Sequence, residues 1–206
     1  MTVGEVARDL DRDTWQASHR FARYVSDLLS PPVFAVLILL VGMWASGWRL
    51  SWRYGLVYAV GAMVIPLLDL TWLVRSGRVS DVHLADRRDR RRPFLVTIAC
   101  SLAVYPVLLW WGAPPLMLAL LRAAFLQSAI LLAITLVWQG SVHAAAAASF
   151  TTVVLMLGGS AAAPVILLLP VVGWARLHLR RHSPTQVVVG MVIGVLATAI
   201  ALHGWI

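Results

Sequence analysis

Three short polar clusters interrupt an apolar chain: Asp81–Pro93 (D-V-H-L-A-D-R-R-D-R-R-R-P), Gly140–His143 (G-S-V-H) and Arg176–Gln186 (R-L-H-L-R-R-H-S-P-T-Q). Arginine meets phosphate oxygens with a planar fork, and histidine can attack phosphorus or protonate a leaving oxygen. Polar groups near lipid are costly, so their retention needs a reason. These residue types, in this order, point to phosphate chemistry at a membrane surface. The third cluster is the sharpest. Ser183 is placed to N-cap the last apolar segment, with Pro184 at the first helical position and Gln186 completing a Ser-x-x-Gln capping box. His182 then stands at the positive end of a helix, where anions gather. Ser141 likewise precedes a helical segment as a natural N-cap, and its hydroxyl and the free N–H groups behind it could hold a phosphate oxygen. Taken singly, each cluster also has a plainer meaning: a well-capped helix start, an interfacial histidine, or arginines that set topology.

The elements that must carry these clusters are membrane helices. Of the 206 residues 60% are hydrophobic, and the mean hydropathy is +0.81. That composition belongs to an integral membrane protein. The expected fold is all-α: a polytopic transmembrane helical bundle of about six to seven spans. Apolar segments run over 33–48, 54–74, 94–112, 115–138, 142–157, 161–175 and 186–205. Residues 1–30 read as an N-terminal amphipathic, interfacial segment and 31–206 as the transmembrane domain. Breakers at 112–115 (Gly-Ala-Pro-Pro) and 158–160 (Gly-Gly-Ser) join tightly connected pairs. The fifth and sixth segments, at about 16 residues each, are short for a full crossing, and Pro164 and Pro170 make the sixth the least regular. The alanine run after His143 lets neighbouring helices approach closely.

All 17 basic residues are arginines, giving a formal charge of +8. They sit in short loops between spans and not on a basic domain, so nucleic acid is not the expected partner. The ten tryptophans fit interfacial belts. No secretory signal peptide is expected, and the lone Cys100 leaves no intrachain disulfide. His178 and His182, four apart, are the nearest approach to a metal motif; Pro184 and the adjoining arginines argue against a zinc-binding helix there, so neither metal nor cofactor is expected.

Parity connects the clusters. Two spans separate the first from the second and two more separate the second from the third, so all three emerge on one side. Fourteen of the arginines fall on that side, against Arg49 and Arg53 on the other. The positive-inside rule places the clusters at the cytoplasmic face of the cell membrane. Arg122 lies about 16 residues before Trp138, roughly 24 Å along a helix, and should snorkel to the opposite face.

In order and spacing the clusters resemble the signature of the type 2 phosphatidic acid phosphatase superfamily. The family pattern is a lysine seven positions before Arg-Pro, then Pro-Ser-Gly-His, then Ser-Arg, five residues, His, three residues, Asp. Arg92-Pro93 matches the end of the first motif, with Ala85 at the lysine position. The spacing of Asp81, Arg87, Arg90 and Pro93 resembles a divergent branch in which an Arg-x-x-Arg pair replaces that lysine. Ser141-Val142-His143 keeps the serine and histidine of the second motif. Arg176, five residues and His182 match the third, with Ala175 for its serine and Gln186 for its aspartate.

The resemblance spans 81–186 and implies a metal-independent lipid phosphatase. His182 would be the nucleophile, forming a phosphohistidine, and His143 the general acid. Arg87, Arg90, Arg92, Arg176 and Ser141 would bind phosphate, and Gln186, Asp81 or Asp69 would orient the histidine. The substrate would be a lipid phosphate drawn from the bilayer, either an isoprenoid phosphate or diphosphate or a phosphatidic-acid-like glycerophospholipid. Two other functions use the same residues: a phosphotransferase passing the phosphoryl group to an alcohol, and a non-catalytic lipid-phosphate binder or transporter.

Overall fold

A computed structural model describes residues 3–79 and 88–203, with side chains from Thr14 onward. Asp81 and Arg87 lie outside the described residues. Those described form helices joined by short turns, with no strand among them. The chain is an integral membrane protein: five helical runs are long and apolar enough to cross a bilayer.

Helix α1 (Val3–Leu28) leads into α2 (Pro31–Ala45) across a 41° bend at Leu29–Ser30, with Pro31 and Pro32 opening α2. The next run, Trp48–Arg75, starts six residues before the apolar segment expected at 54. Its first turns carry polar residues that find local partners. Ser51 is buried and donates to the Gly47 carbonyl, and Arg53 lies over the Tyr54 ring. The run consists of α3 (Trp48–Tyr58), a π-helical stretch (Ala59–Val64) and α4 (Ile65–Arg75). The wide turn has a local cause. Pro66 has no N–H and its ring collides with the carbonyl four residues back, and a turn of larger radius makes room for it.

A single 3₁₀ turn (Arg88–Arg90) starts α5 (Arg91–Trp110), and α6 (Pro115–Val137) follows the Gly112–Pro114 corner. Helix α7 (Val142–Gly158) and α8 (Leu168–His178) are linked by a 3₁₀ stretch, Gly159–Leu167, and α9 (Pro184–Leu202) ends the described chain. Gly159 takes φ +57°, ψ −146°, which breaks the helix and favours glycine. α8 therefore folds back along α7 as a hairpin. The short fifth and sixth segments inferred from the sequence are these two arms, and the irregular part does fall at Pro164.

Helix α7 packs most extensively against α9. Ala145 and Ala148 are buried there, and Gly190 and Gly194 present bare backbone to the carbonyls of Ser141 and Ala145. Small residues let membrane helices reach van der Waals contact over a long seam. Gly190 and Gly194 form a G-x-x-x-G spacing that the sequence displays openly. A second core gathers α2, α3, α5 and α6 around Leu108, Leu116, Met117 and Leu120. Exposed tryptophans collect at both ends of the bundle: Trp44, Trp48, Trp110 and Trp111 at one, Trp15, Trp72, Trp138 and Trp174 at the other. That is the distribution of two interfacial belts.

Candidate functional site

Four side chains that carry chemistry meet in one cavity of about 650 Å³: Arg90, His143, Arg176 and His182. They come from the start of α5, the start of α7, the end of α8 and the α8–α9 turn. Antiparallel helices bring these ends together, as parity requires. All four are buried, between 3% and 7% exposed. Arginine is rarely buried to this degree without a partner charge or ligand.

Capping fixes the histidines. Ser183 accepts from the Gln186 N–H at 3.3 Å, and the Gln186 Oε1 accepts from the Ser183 N–H at 3.1 Å, closing the capping box expected from the sequence. The same Oε1 lies 3.1 Å from His182 Nδ1. Because a backbone N–H already donates to it, this atom must be the amide oxygen, which can only accept. Nδ1 therefore carries the proton, and Nε2 keeps its lone pair. Gln186 caps α9 and orients His182 with a single atom.

At α7, Ser141 is fully buried and its hydroxyl accepts from Ala144 N at 3.3 Å. The Ser141 N–H donates to the Gln186 carbonyl at 3.0 Å, tying the two helix starts together. Ser141 is occupied as a cap and does not line the cavity, so the structure gives it a positioning place and not the expected phosphate contact.

The arginines divide. Arg90 donates to the Gly140 carbonyl at 3.1 Å, and Arg176 donates from Nη1 to Ser26 Oγ at 2.9 Å. Arg176 Nε is buried with no hydrogen-bond partner. Arg92 turns away: it pairs with Asp69 at 2.6 Å and lies over the Trp72 ring. Neither Asp69 nor Arg92 lines the cavity: the two pair with each other, while the Asp69 Oδ2 is buried with no hydrogen-bond partner. Arg122 reaches the Ala201 carbonyl at 3.3 Å, near the far end of α9, as its expected direction requires. Asp69→Asn should cost no more than about 1 kcal/mol, as half-exposed ion pairs do. Any activity should stay within about fivefold of wild type; a hundredfold loss would return Asp69 to the site.

Two contributors escaped the sequence reading: Ser26 and Asp27, at the end of α1. Ser26 is buried on Arg176, and Asp27 lines the cavity. The end of α1 is thus part of the site. The helix docks on α8 through His19, Trp15, Phe21, Trp174 and His178, whose rings stack or tilt together 5.1–6.1 Å apart. The only advance signal was the apolar stripe beside Arg20 and Arg23, which does not say what it packs against. His178 faces α1, away from His182, and contacts Ser18 at 3.3 Å.

Burial drives the His182 pKa down to about 4. Desolvation is the largest cause and Arg176 the next; Arg90 and Arg181 add to it, and the Gln186 hydrogen bond opposes it. His182 is therefore neutral, and its Nε2 nucleophilic, at any pH well above 4. The unfolded chain takes up this proton near 6.5 and the folded one only near 4, so the fold loses stability as pH falls through that window. ¹⁵N-histidine NMR of the full chain should show His182 as the Nδ1–H tautomer titrating near pH 4. A midpoint at or above 6.5 would contradict the assignment.

Below its polar end the cavity is mostly apolar, interrupted by Gln127, Ser128, Ser149 and Thr198. On α7 its wall is Val142, His143, Ala146, Ser149 and Val153, one face of the helix. From His143 to Val153 this face descends about 15 Å, half the hydrocarbon thickness of a bilayer. Opposite are Ala62, Met63, Leu67 and Leu70 of the α3–α4 run. Fold and site together define a helical membrane protein with a buried basic and imidazole cluster above an apolar channel. No protein-family model, curated protein or solved structure matches the chain. The family resemblance therefore rests on the three clusters.

Proposed function

We propose that the protein is a metal-independent lipid phosphatase of the cell membrane, with its site at the cytoplasmic face. One observation carries this reading: Arg90, His143, Arg176 and His182, spread over more than ninety residues, line a single cavity whose remainder is mostly apolar. The basic end suits a phosphate and the apolar face a lipid tail. Val36 on α2 and Val64 and Leu67 on the α3–α4 run line the cavity and are also exposed. They mark a side opening through which a lipid reaches the site without leaving the bilayer.

Arg90 and Arg176 hold the non-bridging oxygens and neutralise charge as it spreads in the transition state. His182 Nε2 attacks phosphorus in line; the N–P bond forms as the P–O bond to the lipid breaks. His143 gives its proton to the departing oxygen. It then takes one from water, which attacks the phosphohistidine, restores neutral His182 and releases phosphate. Gln186 keeps Nδ1 protonated throughout, so Nε2 is the reacting atom in both steps.

The test is phosphate release from a panel of lipid monophosphates and diphosphates by the full chain in excess chelator. Release is expected to persist in chelator. Loss of release on chelation would reject the mechanism. Phosphate delivered to an added lipid alcohol in place of water would reassign the protein as a phosphotransferase.

A further inference from the structure

On its other side, Arg176 borders a second cavity of about 590 Å³, lined by His19, Arg23, Ser26, Asp27, Leu179, Arg180 and Arg181. Helix α1 forms one wall and the α8–α9 turn the other. Among the described residues, four guanidiniums and one carboxylate line it, a concave site with a surplus of positive charge. Such a surface concentrates anions, and arginine forks favour phosphate oxygens over a point contact. Two buried nitrogens on its lining have no hydrogen-bond partner: Arg176 Nε and His19 Nδ1. Buried polar atoms of this kind are usually satisfied.

The backbone of the turn adds a separate observation. Arg180 has φ +51°, the one non-glycine residue with positive φ among those described. Its N–H donates to the Leu177 carbonyl and the Arg181 N–H to the Arg176 carbonyl, closing α8 in the left-handed way usually given to glycine. A long cationic side chain at a glycine-type position is a local conflict, and such conflicts concentrate at functional sites.

We propose that this second cavity is a phosphate-binding subsite, joined to the first through Arg176, which faces both. It takes a phosphate group, either orthophosphate leaving the first site towards water or the head group of a neighbouring anionic lipid. The choice of phosphate as the anion rests on the lipid-phosphatase reading; the subsite itself rests on the geometry.

Calorimetric titration of orthophosphate into the full chain, held in phosphatidylcholine nanodiscs, tests it. Two bound phosphates are expected. In the double variant Arg23→Gln, Arg180→Gly the second should weaken by at least tenfold, leaving one. Glycine at 180 relieves the left-handed strain, so this variant should unfold no earlier than wild type. Nanodiscs containing phosphatidylglycerol separate the sources. Displacement of one phosphate identifies a lipid head group as the occupant, and retention of both identifies free phosphate. Fewer than two sites in wild type in phosphatidylcholine, or two undiminished sites in the double variant, would overturn the subsite. Two sites without lipid-phosphate hydrolysis would instead sink the enzyme reading and leave the subsite standing.

Discussion

Replacing His182 with alanine is expected to lower phosphate release by on the order of 10⁴-fold or more, the usual scale for loss of a nucleophile. That corresponds to about 5.5 kcal/mol of transition-state stabilisation. The fold should survive, because the ring sits in a turn whose cap is held by Ser183 and Gln186 through atoms other than the imidazole. Arg176→Ala should also abolish release, so the pair of variants separates chemistry from binding. A non-catalytic lipid-phosphate carrier would keep its function in His182→Ala and lose it in Arg176→Ala. An enzyme loses release in both, while the His182 variant still binds the lipid. Rapid alkaline quench of the wild type should trap phosphate on a nitrogen, stable to base and labile to acid. Release that persists without His182 would end the mechanism.

The second large effect concerns the seam between α7 and α9. A methyl group at Gly194 would fall inside contact distance of the Ala145 carbonyl, and 2.9 Å from the Ala148 Cβ. Neither neighbour can swing aside, since one is backbone and the other a buried Cβ. Gly194→Ala is therefore expected to cost about 1–3 kcal/mol by overpacking. Activity should fall further than stability implies. α7 carries His143 and α9 carries Gln186, and the Ser141–Gln186 backbone bond ties their starts. A shift of about 1 Å between catalytic groups costs roughly a hundredfold in rate. Gly173→Ala is the control: its added methyl would meet Met191 and Val187 at 3.5 Å, ordinary contact. Thermal unfolding and phosphate release, measured on both, check the prediction. Equal behaviour of the two variants would mean that the seam is looser than described.

The His182 tautomer bears on the family resemblance. In the family pattern an aspartate stands where Gln186 does, and its charge would favour imidazolium. Glutamine supplies the acceptor without the charge, and buried arginines nearby push the same way, towards a neutral ring. Gln186 therefore supplies the orienting hydrogen bond while leaving the His182 ring neutral.

Much of this was determined locally and could be read from the residues in order. Ser183, Pro184 and Gln186 specify a capped helix start within one turn, and the structure has it. Gly158–Gly159 and Pro164 specify a break, and the hairpin of α7 and α8 turns there. Apolar run length and loop arginines specify spans and their parity, so the shared end of the three clusters was legible. What the chain order does not contain is rotation and partnership. Arg90, Arg91 and Arg92 are identical in type, yet successive helical residues point about 100° apart. Only the seating of α5 sends Arg90 inward and Arg92 to Asp69. Likewise the face of α1 that meets α8 depends on rings more than a hundred and fifty residues away, which is why Ser26 and Asp27 became visible as site residues only in the folded molecule. Caps and breaks are short-range hydrogen bonding and sterics; the direction of a side chain about its helix is settled by packing against distant neighbours.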